Sequence, residues 1–170
     1  MSGPHGPLPA AVLYRAGADA PTLTVARLGV TIRTLVATAE SGGTLAALEY
    51  TAPPGFRGPA PHWHARLTET FLGLDGAPVL RVGEAEHVLG PGAVVVVPPG
   101  VVHAFSNPGV APARFLVLAS PGLALERYFV ELAAQIGEAA TWPPTDPAVL
   151  EALSTLAARY DTFPPPAPAS

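Results

Sequence analysis

The sequence contains no cysteine and no lysine. The first absence excludes disulfides, thiolate metal ligands and cysteine nucleophiles. The second removes Schiff-base chemistry and the phosphate-gripping lysine of a P-loop. Charge of either sign is scarce: charged residues are 13% of the chain, and the 9 cationic side chains, all arginine, face 13 acidic ones for a formal net charge of −4. The arginines are scattered rather than gathered in a basic stripe and no helix-turn-helix pattern is present, so no nucleic-acid partner is expected. No apolar run approaches the ~20 residues needed to cross a bilayer, so no membrane partner is expected either. Met1 to Pro9 lack both the positive start and the sustained apolar stretch of a secretory signal. A cytoplasmic location is the resulting expectation.

What is present in quantity is aliphatic residues, proline and glycine. A chain of 170 residues suffices for one domain with a real core. Residues 1–20 read as an N-terminal arm, of which residues 1–10, rich in proline and glycine, are a loose tail in which His5 is solvated. Short β-branched or alternating runs follow or overlap it: Ala11–Tyr14, Leu23–Leu28, Thr31–Ala37, Leu45–Thr51, Thr70–Leu74, Val79–Val82, Ala85–Leu89, Ala93–Val97, His103–Ser106 and Arg114–Ala119. Strands this short and this regularly spaced predict an all-β sandwich or barrel over 21–120. Beyond Pro121-Gly122 the period changes to helical in a segment 121–160. Leu125, Tyr128, Phe129, Leu132 and Ile136 form one stripe, which Gly137 stops. A second helix starts at Asp146-Pro147, with aspartate as cap and proline in the first turn. Both stripes need an apolar partner, the outside of the barrel or its mouth. Residues 161–170 read as a proline-rich, extended tail.

The stretch from Pro61 to Asn107 carries the chemistry. His62 and His64 lie two apart, so a strand presents both imidazoles to one side. Glu69 has the other parity, which requires a bend through Ala65-Arg66-Leu67-Thr68 before a second strand returns the carboxylate. Pro98-Pro99-Gly100 then breaks the strand Val94–Val97 and re-aims His103. Three imidazoles and one carboxylate suit a divalent transition metal: iron, manganese, nickel, cobalt, copper or zinc. One or two coordination positions would stay open to water, dioxygen or a substrate oxygen. His87 falls outside this set and reads as a surface strand residue.

At these residues the sequence resembles the cupin superfamily. Gly92, Pro98, Gly100, His103 and Asn107 match the second cupin motif at every fixed position. His62, His64, Glu69 and Gly76 match the first, whose opening glycine is displaced: Gly55 leaves six residues before His62, Gly58 three, and the family expects five. The resemblance spans roughly residues 30 to 120. It implies a jelly-roll β-barrel with two C-terminal helices appended, the metal held by His62, His64, Glu69 and His103 inside the barrel mouth, and a homodimer.

Period two places Phe71 with Glu69 and Phe105 with His103. Leu48 and Tyr50 share the same interior, with Glu49 between them in water and Trp63 facing away from the histidines. Such an apolar cavity suits an aromatic or other flat organic molecule. Among small cupins the nearest resemblance is to the quercetin-dioxygenase-like group. It implies an oxidoreductase in which the metal orients a deprotonated substrate hydroxyl for attack by dioxygen, with Glu69 as metal ligand and general base. Two other classes remain open: a metal-dependent isomerase or lyase of a small metabolite, and a cupin that binds a small molecule without turnover.

Overall fold

The computed structural model describes residues 19–139 and 141–166. His5, the expected strand Ala11–Tyr14, most of the expected arm and the end of the tail lie outside the described residues. In chain order the strands are β1 (Thr22–Val25), β2 (Val30–Val36), β3 (Ala46–Ala52), β4 (Trp63–His64), β5 (Thr68–Asp75), β6 (Val79–Val82), β7 (Ala85–Val88), β8 (Val94–Val97), β9 (His103–Ser106) and β10 (Ala113–Ser120). Two helices follow, α1 (Leu125–Glu138) and α2 (Pro147–Arg159), and then a last short strand, β11 (Thr162–Phe163).

The described strands make a six-stranded sheet in the order β1-β2-β3-β10-β5-β8, a three-stranded sheet β7-β6-β9 and the pair β11-β4. All their pairings are antiparallel. The described residues are thus mostly β with two C-terminal helices. Their alternation follows the sequence pattern. On β10 the residues Ala113, Phe115, Val117 and Ala119 are buried, and on β5 Glu69, Phe71 and Gly73 share the inner face. Gly73 has a steric reason to be glycine, because a Cβ there would overlap the carbonyls of Leu89 and Gly90.

Glu49 corrects the expectation of a solvated side chain. It is buried, and its carboxylate accepts from Arg114 at 2.9 Å and lies 3.5 Å from Arg33. The cause is strand order. Arg33 is in register with Glu49 on one side, and β10 brings Arg114 on the other. A buried carboxylate keeps its charge only when partnered. Arg114→Ala is expected to cost about 1–2 kcal/mol, a modest figure because the arginine is itself half exposed. Urea unfolding checks this, and the loss should shrink in the Arg114→Ala/Glu49→Gln double variant.

Helix α1 is anchored at its start by Glu126, whose carboxylate accepts from the Thr38 amide at 3.2 Å and the Thr38 hydroxyl at 2.9 Å. Its Phe129 ring meets Tyr50 edge-on at 5.4 Å, so the helix closes one end of the β core. Gly137 does not stop α1, which runs one residue further to Glu138. A lone glycine in the last turn costs too little to end a helix that packing already holds. At α2 the expected cap is present, with the Asp146 side chain accepting from the Ala148 amide at 2.9 Å. Tyr128 of α1 packs on Tyr160 at 5.6 Å.

The start of the extended tail expected from residue 161 packs on the strand that carries His64. Thr162 and Phe163 pair with His64 and Trp63, the Trp63 ring packs on Phe163 at 5.1 Å, and its Nε1–H donates to the Pro164 carbonyl at 2.9 Å. The short β4 has an unpaired edge, and the end of the chain covers it. Among the described residues, no helix is long and apolar enough to cross a membrane.

Candidate metal centre

Each motif turns the chain where its ligands need it. His62 sits just ahead of β4 and exchanges both backbone hydrogen bonds with His103, at 3.0 and 2.8 Å. His64 ends β4; the chain bends at Ala65 and Arg66, and Glu69 enters on β5. Gly100, at φ +83, occupies the turn position that requires a left-handed residue, and its N–H donates to the His64 carbonyl at 2.7 Å. The second motif is thereby tied to the first. Asn107 is a staple rather than a ligand: its Nδ2 donates to the carbonyls of Ala52, Pro53 and Ala111, and its Oδ1 accepts from the Gly109 amide.

One candidate ligand atom from each of His62, His64, Glu69 and His103 falls within a cluster whose members all lie within 4.8 Å of one another. Three of these residues are buried and His62 is half-buried, so His62 marks the open side. All three imidazoles are held through Nδ1 by a backbone carbonyl: His62 by Ala60 at 3.0 Å, His64 by Asp161 at 2.9 Å and His103 by Val101 at 3.0 Å. A carbonyl only accepts, so each Nδ1 carries a proton, and the lone pair a ring needs for ligation is left to Nε2. His103 Nε2 lies 2.8 Å and His64 Nε2 3.4 Å from the same Glu69 oxygen. Lone pairs facing a carboxylate at these distances need a positive centre among them. His64 Nε2 is also buried without a hydrogen-bond partner. An orphaned buried nitrogen aimed at a carboxylate is what a metal-binding set looks like without its cation, and the donor set fits a divalent transition metal.

Electrostatics agree. Burial alone would push the Glu69 carboxyl up, but without a metal a proton on the facing His103 or His64 ring is the positive centre, and it outweighs burial and holds the group well below the usual carboxylate range. Burial lowers His62 to about 4, helped by neighbouring His103, so that ring is neutral near pH 7. Burial also acts to lower His64, yet the adjacent Glu69 carboxylate carries it above its ordinary value.

The aromatic residues expected around the cluster pack against one another. Leu48, Tyr50 and Phe71 are buried in the core and Phe105 is half-buried. Tyr50 meets Phe105 edge-on at 5.5 Å and stacks on Phe115 at 5.4 Å, and Phe71 faces His103 at 6.1 Å. His87 is exposed on β7, as its place outside the motifs implied. Two contributors escaped the sequence reading, Tyr128 and Asp161. Burial and the Glu69 charge raise the Tyr128 phenol to about 12, which places this helix residue within the field of the cluster. Asp161 carries the carbonyl that orients His64.

A cupin domain profile matches residues 48–119, so this segment is a cupin domain. The particular chain has likenesses of fold. It resembles KdgF from Halomonas sp. at 19% identity and TM-score 0.57, covering 65% of this chain and 94% of that one. An RmlC-like cupin from Shewanella frigidimarina aligns at 20% identity and TM-score 0.55, covering 65% and 92%. The polyketide cyclase RemF from Streptomyces resistomycificus does so at 24% identity and TM-score 0.55, covering 65% and 80%. No curated protein matches the sequence.

Proposed function

We propose that this cupin is a metal-dependent oxidoreductase, a dioxygenase acting on an aromatic or enolisable small molecule. The observation that carries the metal half is the common anchoring of the three imidazoles, each fixed through Nδ1 to a backbone carbonyl, with Nε2 of His64 and His103 beside Glu69 and His62 in the same cluster. His62, His64, Glu69 and His103 are the proposed ligands, within the mouth of a jelly-roll barrel formed by the two sheets. A bound transition metal would supply Lewis acidity to a substrate oxygen. Glu69, held anionic, would anchor the cation and would accept a hydrogen bond from the substrate hydroxyl. Its lowered pKa makes it a better anchor than proton store. Tyr50, Phe71 and Phe105 give the substrate side flat apolar walls, with Leu48 behind them, and these suit an aromatic or enol better than a sugar phosphate. The homodimer belongs to the same reading, supported by the edge strand β8, where Val94 and Val96 stand exposed.

A second reading, binding without turnover, is favoured by one specific observation: the interior aromatics fill one another's faces, as the Tyr50, Phe105 and Phe115 contacts show. The test uses freshly purified protein. Elemental analysis is expected to give close to one equivalent of a first-row metal, and the loaded protein is expected to consume oxygen with a flavonol or a 1,3-diketone. Metal without oxygen uptake across that panel, and ligand recovered intact after aerobic incubation, would establish the binding module instead. Conversion without oxygen uptake would point to the isomerase or lyase.

A further inference from the structure

The cupin motifs end at Asn107 and the family match at residue 119, yet the ligand-bearing bend is held by a residue far beyond both. Asp161 follows α2 in the left-handed region, at φ +60, and is buried. This conformation aims its two acceptors at one stretch of chain. The backbone carbonyl takes the His64 Nδ1 proton at 2.9 Å. Oxygen Oδ2 takes the amide protons of Arg66 at 2.8 Å and Leu67 at 3.0 Å, within the bend that separates His64 from Glu69. The remaining contact, Oδ1 to Arg66 Nε at 3.5 Å, involves a mostly exposed arginine and adds little. The Thr162 hydroxyl, 3.5 Å from the same His64 nitrogen, is the weaker partner.

We infer that Asp161 is a positioning residue for the metal centre, setting the tautomer and direction of His64 through its carbonyl and the spacing from His64 to Glu69 through its carboxylate. The functional site therefore extends into the C-terminal segment, outside the cupin domain. This rests on the metal reading above. Every variant at 161 keeps a backbone carbonyl, but without the carboxylate the Arg66 and Leu67 amides lose their acceptor, the bend is no longer tied to residue 161, and the carbonyl is no longer held against His64 Nδ1.

The test uses the full chain and zinc alone, measured by competition with a chromophoric chelator. Wild type is expected to bind one equivalent. Asp161→Ala is expected to weaken zinc binding about 10- to 100-fold, the usual effect of losing a partner behind a metal ligand. Asp161→Gly tolerates the positive φ but lacks the carboxylate, so it should weaken zinc similarly and serves if the alanine variant does not fold. Asp161→Asn keeps an oxygen for both amides and tolerates the left-handed region, so it should stay within about threefold of wild type. Imidazole 1H–15N spectra give a second readout: a slowly exchanging His64 Nδ1–H in wild type and Asp161→Asn, lost in the other two. If Ala and Gly variants bind zinc as wild type does, or the Asn variant is as weak as they are, the positioning role is overturned while the metal reading stands. If wild type itself binds no zinc, both fall.

Discussion

Glu69→Gln is expected to lower the affinity for a divalent metal by about 100-fold or more, beyond what the loss of a supporting partner costs. Glutamine has nearly the same shape but no charge, and among the described residues this is the only carboxylate in the cluster. The variant should remain folded. It removes a buried charge together with the need to balance it, leaving an amide that can still donate or accept against His64 and His103, which lie 3.4 and 2.8 Å from the present oxygen. The control is His87→Ala, on the exposed β7, which should bind metal as wild type does. Equal metal content in the Glu69→Gln and wild-type proteins would remove the carboxylate from the ligand set.

The pH dependence of metal binding gives the same experiment a second axis. Metal must displace any proton on the ligand rings, so affinity falls as pH drops through each ring's metal-free pKa. His64 is raised from the ordinary 6.5, so its competition begins above that value on the way down. His62, lowered to about 4, adds a second proton only near that pH. Between them the affinity should drop by at least about tenfold per pH unit, since at least one proton is displaced for each metal bound. In Glu69→Gln the group that raises His64 is gone, so the onset should move to lower pH.

How much of this was legible in the sequence depends on whether the cause is local. The parity of His62 and His64, the bend at residues 65–68 and the turn at Gly100 are local, and the expected cluster assembled from them. The alternation that placed Phe71 with Glu69 and Phe115 with Val117 is local as well. Glu49 was misread because its partners are separated from it by 16 and 65 residues. No pattern along one strand reveals which arginines its neighbours will bring. Asp161 was missed for a related reason. A polar residue after a helix reads as a terminus, and only the pairing of β11 with β4 turns it into a wall of the site. One signal was available: aspartate can take the left-handed position that closes a helix, and Thr-Phe after it can start a strand.

The displaced glycine of the first motif leads to the last expectation, that Gly58→Ala costs more than about 4 kcal/mol and abolishes metal binding with it. Gly55 and Gly58 both have positive φ, +67 and +78, so either could be the glycine that the loop before His62 requires. They differ in surroundings. A Cβ on Gly55 meets nothing within 4 Å, whereas one on Gly58 would overlap the carbonyl of Phe105, two residues beyond His103. Gly55→Ala should therefore cost only the left-handed strain, about 1–2 kcal/mol. Gly58→Ala adds a collision between two backbones. The strand that suffers, β9, carries His103 and exchanges hydrogen bonds with His62. Relief by moving the loop would pull His62 away from His103, and relief by moving β9 would strip Phe105 from Tyr50 and Phe115. Neither movement leaves the site intact, which explains a glycine at this point despite its spacing of three. Chemical denaturation and zinc titration of the two variants side by side decide the matter. Equal losses at Gly55 and Gly58 would mean that strain alone, and not the close approach to β9, fixes the glycine.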